Sequence, residues 1–151
     1  MFKSIVWAND GSEAAQRALP VVKELAQAGG ATVTIVHVVE RVEGSGGYGP
    51  TRRVDESELQ AQLERLAAEL EQEGIEASLY IDADVGARPA HEIIATARDR
   101  NADLIVVGSH GHSMIGGLLL GSVAYRLLHV APCPVLVVPP ERKGRGAPAD
   151  G

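Results

Sequence analysis

Leu104-Ile-Val-Val-Gly-Ser-His-Gly111 carries an apolar run into two glycines, and nine residues later the chain reads Gly121-Ser122-Val123-Ala124-Tyr125. The spacing is G-x2-G-x9-G-S. An apolar run without alternation is what a strand covered on both faces needs. Glycines at its end let backbone approach a ligand that a Cβ would hold away. The Gly121-Ser122 pair stands where a helix would start, and the free N–H groups of a helix start attract anions. A ligand with a flat body and an anionic tail, the shape of a nucleotide, suits such a strand–turn–helix unit.

Working outward, strand-like and helix-like segments alternate along the whole chain. Residues 5–8, 32–39, 77–81, 104–107 and 135–138 predict strands. Asp10-Gly-Ser12 offers a turn and an N-cap, and Ala15, Leu19, Val22 and Ala26 recur at helical spacing over 13–27. Pro20 lies inside that segment; continued apolar spacing predicts a kink and not a break. Asp55 and Glu58 form a capping-box pattern ahead of the Leu59, Leu63, Leu66, Leu70 stripe. Pro89 suits the first turn of a third helix with Ile93, Ile94 and Ala97 inward, and a fourth runs from about Ser122 to His129. The expectation is an α/β fold: a doubly wound, five-stranded parallel sheet sandwiched by four helices. Residues 1–139 would form the single domain and 140–151, rich in Gly, Pro and charge, a flexible tail. In such sheets ligands bind outside the carboxyl ends of the strands. Asp10, the His37-Val38-Val39 segment and Gly108 would all lie on that edge.

Composition narrows the function classes. At 151 residues the chain can bury a real core, built from Val, Ile, Leu and Ala because aromatics are 3%. Its net charge of −6 argues against nucleic acid, which needs clustered basic residues. No apolar stretch approaches the about 20 residues that span a membrane, and no signal peptide is visible, which predicts a cytoplasmic protein. The lone Cys133 can make neither an internal disulfide nor a cysteine zinc site. Lying between two prolines with no neighbouring base in the sequence, it reads as structural.

Competing motifs are weaker. Gly44-Ser-Gly46-Gly-Tyr-Gly49 spells the dinucleotide fingerprint, but Pro50 follows it where a helix should start, so it reads as a loop. His110 and His112 form a His-x-His pair without an evident third metal ligand. His91-Glu92-Ile-Ile-Ala95 has alanine where a zincin needs its second histidine. His129 falls where a cation favours a helix C-terminus. No phosphate-loop lysine and no general base stand beside the glycines, so any hydrolysis should be slow, at most that of a slow ATPase.

With these segments quoted, the chain resembles the universal stress protein family from residue 2 to 139. The markers are Ile5-Val-Trp-Ala-Asn-Asp-Gly-Ser-Glu13, Asp103-Leu-Ile-Val-Val-Gly-Ser-His-Gly111, Leu119-Leu-Gly-Ser-Val-Ala124 and Ala131-Pro-Cys-Pro-Val-Leu-Val-Val138. In that family G-x2-G-x9-G-(S/T) marks the ATP-binding class, and the resemblance implies a nucleotide-dependent stress or signalling regulator. By the same resemblance Ala8 and Asn9 line a base pocket, Asp10 meets the ribose or supports that pocket, and Val38 meets the base through its main chain. Gly108, His110 and Gly111 lie along ribose and phosphates, while Gly121, Ser122, Val123 and Ala124 hold the phosphates. ATP, with Mg2+ bridging its phosphates, is the implied ligand; AMP and cyclic AMP are the alternatives. A homodimer through Val135, Leu136, Val137 and Val138 is also implied. Two positions depart from the pattern: His112 replaces a common Arg or Lys, and Asn9 replaces a small apolar residue or Thr.

Overall fold

The computed structural model describes residues 1–40, 55–110 and 120–141. The elements are β1 (Ser4–Ala8), α1 (Glu13–Arg17), α2 (Leu19–Gly29), β2 (Thr32–Val38), α3 (Glu56–Gln72), β3 (Ala77–Asp82), α4 (Pro89–Asp99), β4 (Leu104–Gly108), α5 (Ser122–Val130) and β5 (Val135–Val138). The sheet is wholly parallel in the order β3-β2-β1-β4-β5. The chain winds outward in one direction from β1 to β3, then returns to β1's other side at β4. β1 and β4 therefore flank the switch point, where a crevice opens at the carboxyl ends.

Alternation divides the core between the two faces. Ile5, Trp7, Val33, Ile35, Leu104 and Val106 pack with α2 and with the leucine stripe of α3. Val6, Ala8, Val36, Val38, Ile105 and Val107 pack with Ile93, Ile94 and Ala97 of α4 and with Ala124 and Leu127 of α5. Period-two strands thus bury both faces, as the unalternating apolar runs require.

The first helical segment departs from the single kinked helix expected. It is two helices in succession, joined at Ala18, and Pro20 lies in the first turn of the second. Proline has no N–H to bond back to Gln16, so the first hydrogen-bonded run ends before it. Ala18 keeps right-handed helical angles, φ −71° and ψ −16°. The pair therefore acts as one bent segment, and four helical segments flank the sheet. The N-cap that the Asp10-Gly-Ser12 turn offers α1 is Ser12: its hydroxyl accepts from the Ala15 N–H at 3.3 Å. Asp55 caps α3 as its spacing predicts, accepting from the Glu58 N–H at 3.1 Å. The glycine-rich loop at 44–49, Gly111, His112 and residues 142–151 lie outside the described residues.

Candidate functional site

Three strand ends meet at the carboxyl edge. β1 runs into Asn9-Asp10, β2 ends at Val38, and β4 ends at Gly108 before Ser109-His110. Two side chains of the first turn bond forward onto its own backbone. Asn9 Oδ1 accepts from the Gly11 N–H and Asp10 Oδ1 from the Ser12 N–H, both at 2.9 Å. Such Asx turns hold a tight bend without help from the sheet. Gly11 is required twice over: its φ is +78°, and a Cβ there would sit 2.7 Å from Leu59 Cδ1.

The turn is tied across the switch point. The Ser12 hydroxyl donates to the His110 carbonyl at 3.4 Å, and Ser109 Oγ lies 3.1 Å from His110 Nδ1. The Ser109 N–H bonds the Val138 carbonyl of β5, while the Ser109 carbonyl accepts from the Gly121 N–H at 2.6 Å. That last bond seats the start of α5 against the end of β4. Gly121 is the N-cap, in extended backbone at φ −71° and ψ 161°, and contributes no side-chain cap. Helix geometry leaves the N–H groups of Ser122, Val123 and Ala124 without intrahelical partners. Asp10, Ser109, His110, Gly121 and Ser122 are thereby drawn to one crevice. Ala8 and Val38 are buried beneath it on the α4–α5 face.

Gly108 stands where the motif predicts, and packing requires glycine there. A Cβ at 108 would lie 2.9 Å from both the Ala14 Cβ and the Ala15 backbone nitrogen. Glycine there admits α1 against β4. A bulky residue at 108 therefore disturbs folding, whatever it does to binding.

Two groups of residues escape a reading by spacing. His37 is buried at 3% exposure, and its Nε2 lies 2.8 Å from Glu56 Oε2 in the first turn of α3. The β1–β2 register sets Ala8 beside Val36, so Asn9 follows beside His37 on the face that Val33 and Ile35 occupy. Asn9 Nδ2 and His37 Nδ1 are both buried without hydrogen-bond partners. Alternation along β2 is the signal that would have assigned His37 to the core. The second group is a groove where α4 and α5 begin, walled by Arg88, His91, Ser122, Val123, Arg126 and Glu40. Ser122 and Arg126 share one face of α5 at i, i+4, a spacing legible in the sequence.

No cluster of three or more metal-binding side chains occurs among the described residues. The Cys133 thiol is half-buried, and burial together with the Asp103 carboxylate raises its pKa, which keeps it protonated and unreactive. His129 Nδ1 donates to the Tyr125 carbonyl at 2.8 Å, within the last turns of α5. No helix among the described residues is long and apolar enough to cross a membrane.

A model of the universal stress protein family matches residues 1–139. The chain belongs to that family. It is 39% identical over 141 residues to a universal stress protein of Thermus aquaticus, covering 91% of this chain and 99% of the relative. Among solved structures it is similar to the MJ0577 protein, with a TM-score of 0.76 at 28% identity over 95% of this chain and 99% of that one. Two other family structures were solved with ligands. An Archaeoglobus fulgidus universal stress protein in complex with dAMP matches at TM-score 0.62 and 26% identity, covering 91% of this chain and 98% of that one. A universal stress protein in complex with cAMP matches at TM-score 0.63 and 26% identity, covering 93% and 98%.

Proposed function

We propose that the chain binds ATP at the carboxyl edge, across the β1–β4 switch point, and acts as a nucleotide-dependent regulator in stress or signalling. The observation that carries this reading is the bond from the Gly121 N–H to the Ser109 carbonyl. It holds the uncapped start of α5, with three outward N–H groups and the Ser122 hydroxyl, over the strand ends. That is the arrangement an anionic tail needs. The base lies toward the end of β2, against Ala8, Asn9 and the Val38 main chain, and the ribose lies near Asp10. Gly108 and His110 border the ribose and phosphates, and a Mg2+ bound with the nucleotide would offset the phosphate charge. The complexes of two relatives with dAMP and cAMP support an adenine nucleotide in this edge.

The same complexes favour a second reading, in which AMP or cyclic AMP is the ligand. Any ATP hydrolysis is slow, because the described residues supply no phosphate-loop lysine. The protein is a cytoplasmic homodimer through β5, whose residues are apolar, half-buried and, among the described residues, paired only with β4. An unpaired edge of this kind is covered by a second copy.

Native mass spectrometry of the purified chain, followed by calorimetric titration with ATP, AMP and cyclic AMP, tests all three statements. A dimer carrying ATP is expected. Ser122→Ala should weaken ATP about tenfold, the worth of one hydrogen bond to a charged group, without moving Tm. A monomer overturns the β5 interface, and binding undiminished in Ser122→Ala overturns the phosphate site.

A further inference from the structure

The groove between α4 and α5 is not absorbed by the site just described, although the two share Ser122 and Val123. Arg88 enters from the residue before α4, and Arg126 from α5, one turn beyond Ser122. Neither guanidinium forms an ion pair with a described residue. The groove holds one carboxylate, Glu40, against these two fixed positive charges, in a chain whose net charge is −6. Two arginines that are unpaired among the described residues, one just ahead of α4 and one on α5, line the same hollow. An anion between them offsets both charges. Guanidinium groups also match phosphate oxygens geometrically, two N–H donors to two acceptors. The position fixes what kind of anion this is. An α-phosphate seated on the start of α5 has the groove directly beyond it, so whatever extends from that phosphate runs between Arg88 and Arg126.

We propose that this groove receives the distal phosphates of a polyphosphorylated ligand, so that the site selects nucleoside triphosphates over monophosphates and cyclic monophosphates. The proposal rests on the nucleotide reading above and decides among its ligands. Both arginine side chains are exposed, so neutralising them leaves the core untouched.

The test is calorimetry on the full chain with ATP, ADP, AMP, cyclic AMP and inorganic tripolyphosphate, for the wild type, Arg88→Gln, Arg126→Gln and the double variant. Affinity should fall in the order ATP, ADP, AMP. Each single variant should weaken ATP about tenfold and leave AMP within about twofold, with unchanged thermal melting. Raising the salt concentration should weaken ATP more than AMP. ATP affinity unaltered in the double variant overturns the groove, as does AMP or cyclic AMP binding as tightly as ATP; in either case the nucleotide reading stands. Arginine-dependent binding of tripolyphosphate without any preference for a nucleoside supports the groove and removes the base pocket. No binding by any of the five removes both.

Discussion

The two ends of the sheet are built on opposite terms. At the amino end, polar groups satisfy one another. The Asp103 carboxylate accepts from the Lys3 N–H at 2.9 Å and the Ser4 N–H at 3.1 Å, the Ser4 hydroxyl donates to the Arg100 carbonyl, and the Lys3 ammonium donates to the Gly29 carbonyl. That end is a closed hydrogen-bonding system that locks β1 beside β4. At the carboxyl end, α4 and α5 start without side-chain caps, and Arg88 and Arg126 form no ion pair with a described residue. Asn9 Nδ2 and His37 Nδ1 are buried without partners among the described residues. A buried polar atom left unpaired costs about 1–3 kcal/mol, so a fold does not accumulate such atoms at one end for stability. The difference teaches that the amino end carries the fold and the carboxyl end is kept open for chemistry.

One residue sits at the open end yet serves the closed function, and it offers the largest effect. Gly108→Val places a branched side chain where even a Cβ meets the Ala15 backbone nitrogen at 2.9 Å. Helix α1 must move off β4, at a cost of about 3 kcal/mol or a drop of about 6–12 °C in Tm. An unshifted melting curve would show that α1 yields freely and that Gly108 is not a packing residue.

Asp103→Asn probes the closed end, and its effect is smaller. Desolvation pushes the Asp103 pKa up, but the N–H groups of Lys3, Ser4 and its own backbone outweigh it, and the carboxyl titrates below its ordinary value of 3.8. A carboxylate depressed in the folded state adds stability above its unfolded pKa, and that stability is lost as pH falls through the folded pKa. The variant should therefore lose about 1–2 kcal/mol at pH 7, a gap that starts to close near the ordinary carboxylate pKa and vanishes only below the lower, folded-state one. Nucleotide affinity should not change. A stability gap that persists at low pH would mean that the charge is irrelevant and only the amide's shape matters.

How much of this contrast was legible in the sequence follows from the range of each interaction. The strands and the α3 cap at Asp55 depend on neighbours within a turn or on simple periodicity, and patterning reached them. The division of the first helix at Ala18 was only half legible. Pro20 marks it, but whether the axis bends or the hydrogen bonding lapses depends on how α1 and α2 pack onto β4 and β1. The packing demand at Gly108 was not legible, because the atoms that forbid a Cβ belong to Ala14 and Ala15, far away along the chain. The His37–Glu56 contact and the Arg88–Arg126 groove were missed for the same cause: each joins elements that only the sheet order brings together. Local chemistry writes itself into spacing, whereas long-range contacts do so only through topology.

The finest test of the contrast is Gly121→Ser, because the two ends predict opposite signs within one substitution. Gly121 already has the extended N-cap backbone, φ −71° and ψ 161°, which serine adopts without strain. The new hydroxyl would accept from the N–H of Val123 or Ala124, satisfying a donor that the helix start now leaves open. If α5 were merely a helix to be stabilised, this would be a simple improvement of a few tenths of a kcal/mol, about 1 °C in Tm. If that start is held open for phosphate, the same hydroxyl occupies the ligand's place, and ATP should bind several-fold more weakly while the melting temperature rises slightly. Parallel melting and calorimetry read both signs on one sample. A variant that gains stability and keeps its affinity would show that the uncapped start of α5 is incidental, and the carboxyl end would lose its strongest claim to be the binding end.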